Sequence, residues 1–378
     1  MALTTAAMSL PGITPDTAQA QTVPETIKIG YRYTNYQEAD LPKSASGGNV
    51  DLPRYDIDIH QFSLVAPVTS TMSLSASGIT ETLSGASPWF IVENSDGQLV
   101  QVMSGATIVE NRDEINGSIS FYGDASQKNV GLSYSTENDY DSLGLTLSGT
   151  VWLNENNTTV DAGLSIASDT ITPTDKGSGG ITEESKDRIT VFGGFSQVLT
   201  KTTLIGANFS FSNYEGYLSD PYKLVFVNGT ATPDSRPRQR RQWSLDTKLR
   251  NYQNLFASAL HLDYRLYVDD WGVSSHTVSP ALYTNFFESW QTSVTFRYYA
   301  QTAADFYGGV FKETREDGFY SNDYRLSEYE STSWKFGLKK RIAMVDVYAA
   351  YELYDSFNGS NPGLVDFNLF TVGLDLNF

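Results

Sequence analysis

Three histidines, His60, His261 and His276, are the whole imidazole complement of this 378-residue chain, which contains no cysteine. Ser274, Ser275 and His276 follow Asp269 and Asp270 closely enough to suggest a nucleophile, base and acid. Adjacent side chains of a strand point to opposite faces, so Ser275 and His276 diverge and only Ser274 shares the histidine's face. Hydrolysis is therefore the most remote chemistry open to the chain. The acidic sets Glu137, Asp139, Asp141 and Asp269, Asp270 offer carboxylate oxygens to calcium but lack the spacing of a calcium loop, and are read as hairpin turns. No haem-attachment motif or cysteine cluster site is present, so any electron carrier would come from a partner. No catalytic, cofactor or metal residue is assigned.

One basic run, Arg236, Arg238, Arg240 and Arg241, stands out in a chain of net charge −18. Folded inward, its guanidinium groups would favour anions. Left outside, which is the expectation here, they would bridge to acidic phosphates or neighbouring loops. The acidic balance argues against nucleic acid, which needs a basic surface.

These residues must be placed by strands. No stretch approaches the roughly 18 apolar residues that a spanning helix needs, and mean hydropathy is −0.30. From Thr26 onward the apolar pattern has period two, the signature of strands rather than helices. Ile27, Ile29, Tyr31 and Tyr33 fall on one face of the first segment, with Lys28, Gly30, Arg32 and Thr34 on the other. Apolar outward with polar inward inverts a soluble protein and suits a wall with lipid outside and water inside. The same parity puts Asp263, Arg265, Arg297, Lys335, Asp346 and Glu352 on the wet face with Lys28 and Arg32, and their mixed signs predict cross-strand ion pairs. Aromatic residues make up 13%, with 23 Tyr, 20 Phe and 6 Trp, as interface girdles require.

About 16 such segments are predicted, an even number, as a closed single-chain barrel needs. Alternate connections are short, near Pro67, Gly123-Asp124, Asn154-Glu155-Asn156, Lys201, Tyr252-Gln253, Glu288 and Arg341. The others include long stretches at 37–52, 83–113, 171–186, 215–239, 303–323 and 356–365, with tight ones at Asn138-Asp139 and Asp269-Asp270. The reading is thus an all-β, transmembrane, antiparallel up-and-down barrel over residues 21–378, with short periplasmic turns and long outer loops. A parity switch between Ile59 and Phe62 predicts a bulge near Gln61, and Pro280 predicts a second irregularity.

The last strand alternates Phe370, Val372, Leu374, Leu376 and Phe378 against Thr371, Gly373, Asp375 and Asn377. Thr371, Gly373, Leu376 and Phe378 resemble the signal by which outer-membrane barrels are handed to their assembly machinery. At the other end, Ala18-Gln19-Ala20 resembles the cleavage site of a secretory leader, so residues 1–20 are expected to be a signal-peptide remnant. Together these imply the outer membrane of a Gram-negative bacterium, with its lipid and lipopolysaccharide as surroundings.

Several strings resemble one family of outer-membrane proteins, the domain of unknown function number three-five-seven-zero. They include Ser84-Gly85-Ala86-Ser87-Pro88-Trp89, Ser135-Thr136-Glu137-Asn138-Asp139-Tyr140, Asn157-Thr158-Thr159 and Gly216-Tyr217-Leu218-Ser219-Asp220-Pro221-Tyr222-Lys223. Others are Asp269-Asp270-Trp271-Gly272 with Ser275-His276-Thr277, Ala303-Ala304-Asp305-Phe306-Tyr307, and Asp323-Tyr324-Arg325-Leu326-Ser327. The resemblance implies a barrel. The family's gene neighbours, a small lipoprotein and a flavin transferase, imply an envelope redox partner. Three functions follow as expectations: a porin-like channel or transport/scaffold barrel first, a barrel sheathing a lipoprotein or redox partner second, and an outer-membrane hydrolase last. Enzymatic activity is not expected.

Overall fold

The computed structural model describes residues 22–48, 51–104, 108–254 and 257–378. The expected leader, 1–20, lies outside the described residues. In chain order the strands are β1 (Lys28–Glu38), β2 (Asp56–Thr69), β3 (Met72–Gly85), β4 (Pro88–Glu93), β5 (Leu99–Met103), β6 (Ile108–Tyr122), β7 (Ser126–Glu137), β8 (Tyr140–Leu153), β9 (Thr158–Ile171), β10 (Glu184–Thr200) and β11 (Thr203–Gly216). They continue as β12 (Leu224–Val227), β13 (Thr230–Pro233), β14 (Gln239–Gln253), β15 (Ser258–Asp269), β16 (Ser274–Phe286), β17 (Trp290–Gln301), β18 (Val310–Phe311), β19 (Tyr329–Ile342), β20 (Val345–Phe357) and β21 (Phe367–Asn377).

Sixteen of these close one antiparallel barrel in the order β1-β2-β3-β6-β7-β8-β9-β10-β11-β14-β15-β16-β17-β19-β20-β21. The last strand returns to the first, with Ile29 opposite Leu376 and Tyr33 opposite Val372. Closure leaves no edge, so wall peptide groups pair within the sheet, the condition for a sheet to sit in lipid.

Parity decides which face is which. Ile115, Leu132, Leu143, Phe62 and Phe209 are each more than half exposed on the outer face. Their neighbours along each strand, which face inward, are Ser, Gly, Asn, Gln and Glu. In water an exposed Leu or Phe forgoes about 1.5–3 kcal/mol each, so a belt of them requires an apolar surrounding. Strands of 11 to 17 residues reach or exceed the roughly 9–11 needed to cross a bilayer. Their excess on the outer face is polar: Tyr33 donates to Asp58 at 2.5 Å and Asn35 to Asp56 at 2.8 Å. Toward the other rim, Phe286 stacks on Trp290 at 6.2 Å and Lys340 lies 4.6 Å over the Trp290 ring.

The connections are short at one end of the barrel and mostly long at the other, as the pattern predicts, with tight turns at the long-loop end between β7 and β8 and between β15 and β16. The first short turn is Ser70-Thr71, not Pro67, which pairs with Ser73 inside β2 just before a register shift. The turns expected at Tyr252-Gln253 and Arg341 lie a few residues further on, because those residues still pair in β14 and β19. In the turn after β8, Asn154, Glu155 and Asn156 all take positive φ, which asparagine tolerates better than most residues.

No bulge occurs at Gln61: it pairs in unbroken register with Arg32 and Ile79. The parity switch is instead physical, because Ile57 and Ile59 face inward and are fully buried. At Pro280 the ladder to β17 loses two pairs, while Val278↔Tyr298 and Ala281↔Thr295 keep one register. Toward β15, Pro280 stays opposite Leu262.

Candidate functional site

The inner surface is uneven. From β6 to β11 it presents small residues, such as Ser118, Ser133, Thr146, Ser148 and Ser165. From β14 round to β21 it presents charges and tyrosines. All eight residues assigned to the wet face by parity lie on the inner face. Arg32 pairs with Asp375 at 2.6 Å, Asp263 with Arg250 at 2.7 Å, and Lys335 with Glu352 at 3.9 Å. Arg265 bonds Asp246, and Asp346 takes both Lys339 at 2.8 Å and Arg341 at 2.9 Å. Lys28 is exposed at the short-turn rim. Arg297 has no ion pair or hydrogen bond among the described residues and lies over the Tyr299 ring at 5.0 Å.

At the long-loop end the lumen is roofed by the chain itself. The connection after β3 carries the β4–β5 hairpin, and the connections before and after the β14–β17 segment carry β12, β13 and β18, which form a three-stranded sheet in the order β13-β12-β18. These pieces interlock. Phe90 of β4 meets Phe226 of β12 at 5.5 Å, Lys223 donates to the Pro88 carbonyl at 3.1 Å, and Asn322 donates to the Leu224 carbonyl at 2.9 Å. Asn361 donates to the Asn322 carbonyl at 3.0 Å, and Arg54 ties Glu38 at 3.0 Å to the Leu364 and Gly363 carbonyls at 2.9 and 3.0 Å.

Two apolar clusters stiffen this plug: Trp271, Val273, Ala304, Phe306 and Leu326, and separately Val225, Val227 and Tyr320. Beneath it, inward-facing Tyr36, Ile57, Ile59, Leu83 and Leu369 form a third cluster on the wall. Apolar residues on an inner face make sense only where the plug covers them.

At the plug's centre Asp323 is fully buried. It opens the 3-10 turn Tyr324–Leu326, accepting from the Arg325 backbone N–H at 3.1 Å. The Arg325 guanidinium donates to both carboxylate oxygens, at 2.8 and 2.9 Å, and Arg236 donates at 2.9 Å. Arg236 also holds Asp234 at 2.7 Å, and Arg325 reaches Asp220 at 3.3 Å. Burial opposes the Asp323 charge, but the pull of Arg325, Lys223 and Arg236 outweighs it and holds the carboxyl well below its usual range. Burial pushes Asp234 up, only partly offset by Arg236, and pushes the fully enclosed Lys223 amine down.

The arginine run is therefore not one outward cluster. Arg236 is locked in the plug, Arg238 is exposed beside Glu184 at 2.9 Å, and Arg240 faces inward onto Asp269 with the Trp271 ring 4.3 Å away. Arg241 faces outward, where its N–H donates to Asp270 at 2.8 Å. Alternation along β14 and the return of the loop explain the split, since neighbouring arginines cannot share a face.

The serine, histidine and aspartate set does not assemble. His276 points outward and shares a 2.7 Å hydrogen bond with the Tyr264 hydroxyl, Ser275 points inward, and Asp269 is engaged by Arg240 and Tyr267. His60 is likewise outward, at 2.8 Å from the Tyr31 hydroxyl, while His261 packs 4.6 Å from the Tyr283 ring inside.

The acidic turn is also divided. Asp141 faces outward and accepts from Tyr134 at 3.0 Å, whereas Glu137 and Asp139 turn inward, where Tyr222 donates to Asp139 at 2.6 Å. Their inward neighbour is Glu110, and ligand oxygens of the three lie within 4.8 Å of one another. Glu110 and Arg112, the latter buried among Glu81, Glu114 and Glu137, lie in a stretch read from sequence as loop. The alternation Glu110, Arg112, Glu114, Asn116 is the signal that extends β6 back to Ile108.

Below the plug lies a cavity of about 880 Å³. Its roof includes Pro88, Tyr324 and Arg325, its wall includes Arg297, Tyr354 and Glu352, and it reaches Gln291 and Lys339 near the short turns.

Among curated proteins nothing matches. Among solved structures, one described as a bacterial polysaccharide outer membrane secretin superposes with a TM-score of 0.52 at 10% identity, covering 93% of this chain and 98% of that one. A mutant ferric enterobactin receptor from Pseudomonas aeruginosa gives 0.45 at 10% identity, covering 87% and 53%. The CymD monoaromatic hydrocarbon channel gives 0.46 at 10% identity, covering 94% and 89%. At such identity the secretin likeness speaks for the barrel fold alone: the protein is built as an outer-membrane type of barrel. The model of a family described as protein of unknown function (DUF3570) matches residues 1–370, and the chain belongs to that family.

Proposed function

We propose that this protein is a passage for small polar solutes in the outer membrane of a Gram-negative bacterium, closed toward the outside by its own loops. The observation that carries the reading is the cavity of about 880 Å³, lined by charged residues and tyrosines, that runs from beneath the plug to the level of the short turns. That volume falls in the range of small-molecule sites, roughly 300–1,000 Å³. In this reading the short-turn end faces the periplasm, the C-terminal strand is presented to the assembly machinery, and the outer rim meets lipopolysaccharide. The role is transport rather than catalysis, since the side chains that would make a hydrolase point to different faces. A lipoprotein or redox partner is favoured by no particular contact of this chain.

Conductance tests the proposal. In planar bilayers the wild-type barrel should give small or intermittent steps, and Asp323→Ala, which loosens the plug, should give larger and longer ones. A barrel that migrates faster on a gel unboiled than boiled, and so is folded, yet conducts in neither form would overturn it.

A further inference from the structure

Among the described residues, Arg297 is the cation lining the cavity that has neither an ion pair nor a hydrogen bond. The others are all held: Arg265 by Asp246, Lys335 by Glu352, Lys339 by Asp346, Arg325 by Asp323, and Lys223 by the Pro88 carbonyl. Arg297 lies over the face of the Tyr299 ring instead, 5.0 Å from its centroid. A guanidinium kept in a wall without an acid is a planar fork of donors waiting for an anion.

Its surroundings restrict what that anion is. Arg297 on β17 lies opposite Ser333 on β19, Ser333 opposite Tyr354 on β20, and Tyr354 opposite Phe367 on β21. The four form one cross-strand row on the inner face. Adjacent strands are about 4.8 Å apart, so Arg297 and Tyr354 stand roughly 10 Å apart with only a serine between them. Tyr354 is fixed by stacking on Phe367 at 4.3 Å and 13°, and Tyr299 meets Tyr329 at 5.5 Å just above the row. The next row toward the short turns, Thr295, Lys335 and Glu352, adds an already compensated pair and no free acid. Arg297, Ser333 and Tyr354 all line the cavity, and a guanidinium free of acid with a fixed ring roughly 10 Å away on the same wall suits a flat molecule charged at one end.

We propose that this wall of the cavity binds an aromatic carboxylate, the carboxylate on Arg297 and the ring against Tyr354. The inference rests on reading the lumen as a solute passage, and gives that passage a substrate class: small organic anions with a flat apolar face. The ring contact discriminates against inorganic anions, and the guanidinium against neutral rings.

Calorimetric titration of the full-length protein in detergent micelles tests it, with benzoate as the probe and benzamide, inorganic phosphate and acetate as comparators. Benzoate should bind at least about tenfold more tightly than the other three, the difference a charge-assisted bidentate contact and a ring contact together supply. Arg297→Gln should erase the preference for benzoate over benzamide, Arg297→Lys should keep part of it, and Tyr354→Ala should erase the preference for benzoate over acetate. Each variant is checked for the gel shift of a folded barrel. Equal binding of benzoate and benzamide, stronger binding of phosphate, or an Arg297→Gln variant that binds benzoate like the wild type would overturn the site. Conductance without benzoate selectivity would remove this inference and leave the passage standing, whereas benzoate binding without conductance would keep the site and remove the passage.

Discussion

Replacing Asp323 with alanine should open the plug without opening the barrel. The carboxylate is fully buried and is shared by Arg325 and Arg236. Removing one partner of a buried ion pair costs about 3–5 kcal/mol, because the remaining charge stays out of water. Here Arg236 keeps Asp234 at 2.7 Å and Arg325 keeps Asp220 at 3.3 Å, which softens the loss. The lower end, about 3 kcal/mol, is therefore expected, or roughly a hundredfold in the opening equilibrium. Hydrogen exchange read by mass spectrometry should show backbone amides of 217–238 and 302–328 exchanging about a hundredfold faster. Strands β7 to β9, which touch none of these groups, should be unchanged. Acid acts on the same carboxylate. Its folded pKa is depressed, so its stabilisation is complete above the unfolded carboxylate range and disappears only as pH falls through the lower folded value. Asp234, shifted upward, protonates first and with the opposite sign, relieving a buried charge. The plug should thus survive mild acid and release only in strong acid. Unchanged exchange in both loop segments of Asp323→Ala, or release at mildly acidic pH, would refute this account of what holds the plug.

Two further outcomes follow from how the arginines and the last strand are placed. Arg236→Ser should destabilise the plug in the same exchange assay by an amount comparable to Asp323→Ala, while Arg238→Ser, whose partner Glu184 is reached at the exposed surface, should change it by no more than about 0.5 kcal/mol. Equal effects from the two would mean that the run acts as one unit after all. Deleting Phe378, which closes the outward row of β21 at the seam with β1, should lower the amount of barrel recovered from the outer membrane while export to the periplasm continues; normal recovery would remove the assembly role of that residue.

The wall was readable because each of its residues answers to a local condition. Lipid on one side and water on the other impose period two on every strand, so Ile29, Tyr31 and Tyr33 declare the outer face, and Arg32, Asp263 and Glu352 the inner one, without knowledge of any partner. The alternation of short and long connections and the apolar row from Phe370 to Phe378 follow from the same condition. Ile57 and Ile59 escape it: they look out of register only while the lumen is imagined as water throughout. What covers them, and what divides Arg236 from Arg238, joins Glu110 to Asp139 and leaves Arg297 without an acid, is settled between segments far apart in the chain. Arg54 bonds carbonyls near residue 364, Lys223 bonds Pro88, and Arg236 bonds Asp323. Such contacts carry no period and no local propensity. The sequence by itself determined a barrel and the sidedness of its wall, because those depend on solvent at each residue; only the tertiary structure decided that the barrel is plugged and where its free charge lies, because those depend on which loops meet.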